Sequence, residues 1–195
     1  TYYGGSSADY GYGVATDAAG NIYIDGYTAS ASTMTTTGAY QTVLDGVYDA
    51  YLAKFNSAGA IQWATYFGGD NADMGYGLAV TGAGDVYLTG YTYSTTSLAT
   101  TGAYQTVLGG SSDAFVAKFD NAGSLQWATY YGGSALDEAH SVGINAAGDV
   151  YLTGLTQSTS AIATTGAHQP VFGGGTDAFL AQFTSAGALG WATYY

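Results

Sequence analysis

The most constraining feature of this chain is that it repeats itself three times without a gap. Thr1, Thr65 and Thr129 each open a unit of 64 residues, and Thr193 opens another that reaches Tyr195. Aligned, the units share T-Y-[YF]-G-G, then an aspartate (Asp9, Asp73, Asp137), then a turn reading DAAGN, TGAGD or NAAGD. The segments NIYIDGYT, DVYLTGYT and DVYLTGLT follow, then a Thr-rich stretch ending TTGAYQTVL, TTGAYQTVL or TTGAHQPVF. Each unit closes on DAYLAKF, DAFVAKF or DAFLAQF, a second turn, and AIQWATYF, SLQWATYY or ALGWATYY. A fixed period of this kind means one supersecondary unit used three times, each covered by its neighbours. The expected organisation is a single repeat domain of three units, 1–64, 65–128 and 129–195.

Each unit offers four strand candidates, which in the first are Tyr12–Thr16, Ile22–Thr28, Asp49–Phe55 and Ala60–Phe67. Aromatic and β-branched residues enrich three of them, and Gly beside Asn or Asp marks the ends. The short loops D-A-A-G-N and N-S-A-G suit antiparallel hairpins with glycine at positive φ. No stretch carries a helical period with caps, so the fold is expected to be all-β. In Val86, Tyr87 and Leu88 successive residues point to opposite faces yet all are apolar or aromatic. Such a sheet must be covered on both sides. Stacked four-stranded sheets provide that cover, and the small residues of GYGVAT, GYGLAV and HSVGI suit a strand crowded near a central axis. These are the marks of β-propeller blades. The period exceeds the usual ~40–50 residues, and the excess falls between the second and third strands, at 29–48, 93–112 and 157–176.

Composition removes several function classes. The chain has Lys54 and Lys118 but no arginine, against 14 acidic residues of which Glu138 is the one glutamate, for a net charge of −12. That charge repels phosphate backbones and anionic lipid headgroups. No apolar run is long enough to span a bilayer as a helix, and residue 1 already lies inside a repeat, so no leader is expected. With no cysteine there are no disulfides or thiolate metal sites. Twenty tyrosines, seven phenylalanines and three tryptophans argue against disorder. Low Lys, Arg and Glu with abundant Thr, Ser, Gly, Tyr and Asp suggest an exported surface protein.

The unit W-A-T-Y-[YF]-G-G…D…A-G-[ND]-[IV]-Y-[IL]-x-G-[YL]-T…T-T-G-A-[YH]-Q…D-A-[YF]-[LV]-A-[KQ]-F resembles the repeat of the seven-bladed β-propeller repeat family of secreted and cell-surface bacterial and archaeal proteins. The resemblance implies a propeller-type blade and an extracellular or cell-surface setting, and it supplies no catalytic residues. Three blades depart from the pattern, because closed propellers need about four or more. The arc could be cut from a longer array, two copies could close a six-bladed ring, or copies could join head to tail into a filament.

Candidate sites follow the repeat phase. Asp9, Asp73 and Asp137 follow the double glycine, Asp49, Asp113 and Asp177 precede the third strand, and Asn21, Asp85 and Asp149 open the second. Turn chemistry is the favoured role, with Asx side chains accepting backbone N–H groups. Calcium held by Asp9, Asp73 and Asp137 is the alternative, although no D-x-D-x-D-G loop is present. Trp63, Trp127 and Trp191 recur as aromatic anchors between blades. Tyr40, Tyr93 and Tyr104 in the long inserts are the better candidates for sugar contact. His168 replaces Tyr40 and Tyr104, and His140, which replaces Tyr12 and Tyr76, follows Asp137 and Glu138. Lys54 and Lys118 align with Gln182, so neither charge is obligatory. No G-x-S-x-G or Walker loop occurs, and no repeat carries a distinctive reactive cluster.

The sequence therefore predicts a non-catalytic, cofactor-free structural protein that packs blade to blade with further copies of itself. A surface binding module for a glycan or protein is the alternative.

Overall fold

The computed structural model describes residues 2–195. Twelve strands form three four-stranded antiparallel sheets: β1 to β4 (Asp9–Thr16, Ile22–Thr28, Asp49–Phe55, Ile61–Phe67), β5 to β8 (Asp73–Val80, Val86–Thr92, Asp113–Phe119, Leu125–Tyr131) and β9 to β12 (Asp137–Ile144, Val150–Thr156, Asp177–Phe183, Leu189–Tyr194). Strand order within each sheet follows the chain. The three sheets are propeller-type blades in an unclosed arc, and no helix occurs among the described residues.

The core lies between blades, and strand alternation distributes it. On β7, Phe115, Ala117 and Phe119 join Tyr23, Ala50, Leu52 and Phe67 of the first blade. Ala114 and Val116, on the opposite face, join Val150, Leu152, Phe179 and Ala181 of the third. Every residue of β7 but Lys118 is buried, as a sheet with two covered faces requires.

The innermost strand is longer than its sequence suggests. Pairing starts at Asp9 rather than Tyr12, with Tyr10 opposite Tyr27 and Gly11 opposite Gly26. Its glycines permit the close approach expected of a strand crowded near the axis. A Cβ on Gly75 of β5 would meet Gly26 O at 2.6 Å, and one on Gly77 would meet the His140 backbone at 3.3 Å. Between those glycines sits a β-bulge, which leaves Tyr12, Tyr76 and His140 as the extra residue of β1, β5 and β9. A bulge re-aims its residue and sharpens the local twist.

The long insert has a structural role of its own. After β2 it turns back over the outer edge of its own sheet. There Thr36 N–H donates to Ala64 O (3.0 Å), Gln41 N–H to Thr65 Oγ1 (2.9 Å) and Tyr66 N–H to Gln41 O (3.1 Å). The second and third blades repeat this through Thr100, Gln105 and Tyr130, then Thr164, Gln169 and Tyr194. Edge carbonyls and amides open to a stray strand are thereby occupied. Buried tyrosines pin the start of the insert, with Tyr66, Tyr130 and Tyr194 hydroxyls donating to Ser30, Ser94 and Ser158 carbonyls.

Candidate functional site

The features repeated at both internal junctions define the candidate site, and the end of each outer strand is the first of them. Phe67 enters the second blade, its ring 5.3 Å from Phe115, and Tyr131 enters the third at the same distance from Phe179. Tyr131 also donates to Ile162 O (2.8 Å). Tyr3 makes the equivalent contacts on the first blade, 5.6 Å from Tyr51 and donating to Met34 O (2.6 Å). Tyr195 holds the same position on the third blade, where its backbone pairs with Ala178 and its ring is exposed.

Trp63 and Trp127 reach forward into the next blade. Trp63 Nε1 donates to Asn121 O and Trp127 Nε1 to Ser185 O, both at 3.0 Å, and Trp191 is exposed. Lys54 buries its stem and bonds to Asn121, its ammonium 5.1 Å from the Tyr23 ring centre. Lys118 pairs instead with Asp85 at 3.2 Å.

The aspartates after the double glycine clamp that loop to the innermost strand. Asp73 Oδ2 accepts from Gly69 N–H (2.8 Å) and Ser94 Oγ (2.8 Å), and its Oδ1 accepts from Thr92 Oγ1. Asp137 does the same with Gly133, Ser158 and Thr156, and Asp9 with Gly5 and Thr28. Asp9, Asp73 and Asp137 thus stand apart, one per blade. No three His, Asp or Glu side chains converge into a metal-binding group among the described residues. Asp49 and Asp113 approach Asp73 and Asp137 across Gly68 and Gly132. Each accepts bonds on Oδ2 from Gln41 or Gln105 and a backbone N–H, while Oδ1 is buried without a partner. Burial pushes Asp49 up to about 7 and Asp73 and Asp113 up to about 6.

The insert tyrosines separate into two groups. Tyr40 and Tyr104 are half exposed and lean on the next blade, 5.9 Å from Phe119 and 6.0 Å from Phe183. Tyr93 lies elsewhere, edge-on to Tyr91. That tyrosine belongs to an aromatic row built on the bulge residues. Tyr12 and Tyr76 are 4.6 Å apart, Tyr76 and His140 5.4 Å apart, and Tyr27 and Tyr91 stack beside them. His140 Nε2 meets Glu138 Oε2 at 2.9 Å at the end of the row. The sequence aligned these three positions but did not place them in contact. The signal was the G-Y-G shared by β1 and β5, which marks the bulge.

The end faces expose what the junctions cover. Leu52 and Val116 are 0% exposed, whereas Leu180, their counterpart, is 37% exposed. Leu78 and Val142 pack on the blade before them, and their counterpart Val14 is 70% exposed. No helix of the described residues is long and apolar enough to cross a membrane.

Residues 1–32 and 62–96 match the sequence model of a β-propeller repeat. These stretches carry β1 and β2 of the first blade and run from β4 to β6 across the first junction. No curated protein matches the chain. Matching repeats that fold into matching four-stranded blades, with this similarity over two stretches, support a β-propeller repeat architecture.

Proposed function

We propose that the chain is a non-catalytic structural protein of the cell exterior, and that it associates with further copies of itself through its end blades. One observation carries this reading: each open end face is the complement of the other. Val14 occupies the position from which Leu78 and Val142 cover the preceding blade, and Leu180 the position that receives them. The geometry that seals two internal junctions can therefore seal a third between copies, as a head-to-tail interface that closes into a ring or continues as a filament. The acidic, lysine-poor composition and the resemblance to secreted repeat proteins support the exterior setting.

Light scattering on the purified chain tests the assembly. Wild type is expected above the 19.8 kDa of one chain, and Leu180→Asp should restore that mass by placing a charge where a neighbour's Val14 docks. Wild type at the mass of one chain across the micromolar range would overturn the reading.

A further inference from the structure

The tryptophan at the first junction walls a cleft that the packing of the blades leaves open. Its volume is 590 Å³, within the range of about 300–1,000 Å³ common for small-ligand sites. The insert contributes Thr36 to Ala39, β4 contributes Gln62 and Trp63, and the β7–β8 turn contributes Asn121 to Gly123. The indole is fixed before any ligand arrives. Its Nε1 is bonded to Asn121 O, and Gly123 (φ 83°) lies so close that a Cβ there would come within 2.8 Å of Cδ2.

Apart from Lys54, the polar groups around the indole are neutral. Gln62 holds its Nε2 on Ala60 O and Ile61 O (3.1 and 3.2 Å), which leaves Oε1 free as an acceptor. The exposed Thr37 hydroxyl makes no hydrogen bond among the described residues. Although the chain carries 14 acidic residues, no carboxylate lines the cleft, and the Lys54 ammonium is already bonded to Asn121. A narrower cleft of the same design, 130 Å³, recurs beside Trp127 with Thr101, Gln126 and Gly187. There too the indole is fixed, through Ser185 O and Gly187, and no charged group lines the walls.

We propose that the Trp63 cleft binds a neutral carbohydrate, with a hexose ring against the indole. A rigid aromatic surface suits the C–H face of a sugar, and a hydroxyl and an amide oxygen at its rim suit the sugar's hydroxyls. The one cation of the Trp63 cleft, Lys54, is buried and turned onto Asn121, which disfavours anionic sugars, and organic cations find no carboxylate. At the third blade Gly190 stands where Gln62 does, so the amide acceptor does not recur there.

Calorimetry and tryptophan fluorescence with cellohexaose and chitohexaose test the site, with oligogalacturonate as the anionic arm. At least one neutral oligosaccharide should bind at millimolar concentration or below. The double variant Thr37→Ala, Gln62→Ala changes exposed side chains, so its melting curve should match wild type. Its affinity should fall roughly tenfold or more, as expected for two lost hydrogen bonds. The matching variant Thr101→Ala, Gln126→Ala should keep most of the affinity. No binding of either neutral probe, tighter binding of oligogalacturonate, or unchanged affinity in the first variant would each overturn the proposal. None of these results depends on whether the chain associates, which light scattering reads separately.

Discussion

Asp25 and Thr89 occupy the same position in successive blades, but only Thr89 has a partner. The Thr89 hydroxyl donates to Phe115 O at 2.6 Å, and Thr153 repeats this in the third blade with Phe179 O at 2.8 Å. Asp25 is fully buried with neither carboxylate oxygen hydrogen-bonded. A buried polar group without a partner costs about 1–3 kcal/mol. Asp25→Thr should therefore stabilise the fold by about 2 kcal/mol, read as a higher urea midpoint with an unchanged slope. An unchanged or lower midpoint would mean that Asp25 is satisfied in solution.

The same residue sets a pH dependence. Desolvation raises Asp25 and Asp49 to about 7 and Asp73 and Asp113 to about 6. Each binds its proton more tightly folded than unfolded. Their contribution to stability is complete below the ordinary carboxylate value of about 4 and is lost as pH rises through 6 to 7. Asp17 and Asp70 are lowered by hydrogen bonds and titrate below that window. The melting temperature should therefore fall between pH 5 and pH 8, less steeply in Asp25→Thr than in wild type. A flat or rising profile would contradict the assignment.

Gly90 is expected to tolerate no side chain. A methyl there would run into the Met74 carbonyl of the neighbouring strand, and backbone has no rotamer by which to yield. Gly90→Ala should cost about 2–3 kcal/mol. Gly102 has open space around it but sits at φ 82°, so Gly102→Ala should cost only about 1 kcal/mol through backbone strain. Denaturant melts of the two variants would show whether that order holds.

Asp73 and Asp137 offer a test that separates turn chemistry from calcium. Their oxygens accept from threonine and serine hydroxyls and a glycine amide. Asp73→Ala should leave those donors buried and unpaired, lowering stability by about 2–4 kcal/mol. Treating wild type with a chelator should leave its melting temperature unchanged. A chelator-induced fall reversed by calcium would instead establish a cation at these loops.

The blades were legible because the period fixes the register and because Val86 to Leu88, apolar on both faces, demand cover on both. Other features were hidden for identifiable reasons. The start of β1 at Asp9 rather than Tyr12 depends on pairing across Gly11 and Gly26, which only the neighbouring backbone reveals. The covering of the outer edge joins Thr36 to Ala64, a contact that no local pattern announces. The approach of Asp49 to Asp73 was equally unreadable, since each alone suits an ordinary strand entry. In the sequence His140 shows only as the residue that replaces Tyr12 and Tyr76 after Asp137 and Glu138. Only the bulge register shows that it ends a row begun by Tyr12 and Tyr76.

The insert that folds back over its own outer strand has a consequence for how such a chain changes in length. All four strands of a blade, and the segment that seals its edge, come from one contiguous stretch of sequence. Duplicating or deleting one unit in the gene would add or remove a finished sheet and leave no neighbour half built. Copy number is then free to vary under selection, and the demand on each repeat is only that its two faces still fit one another.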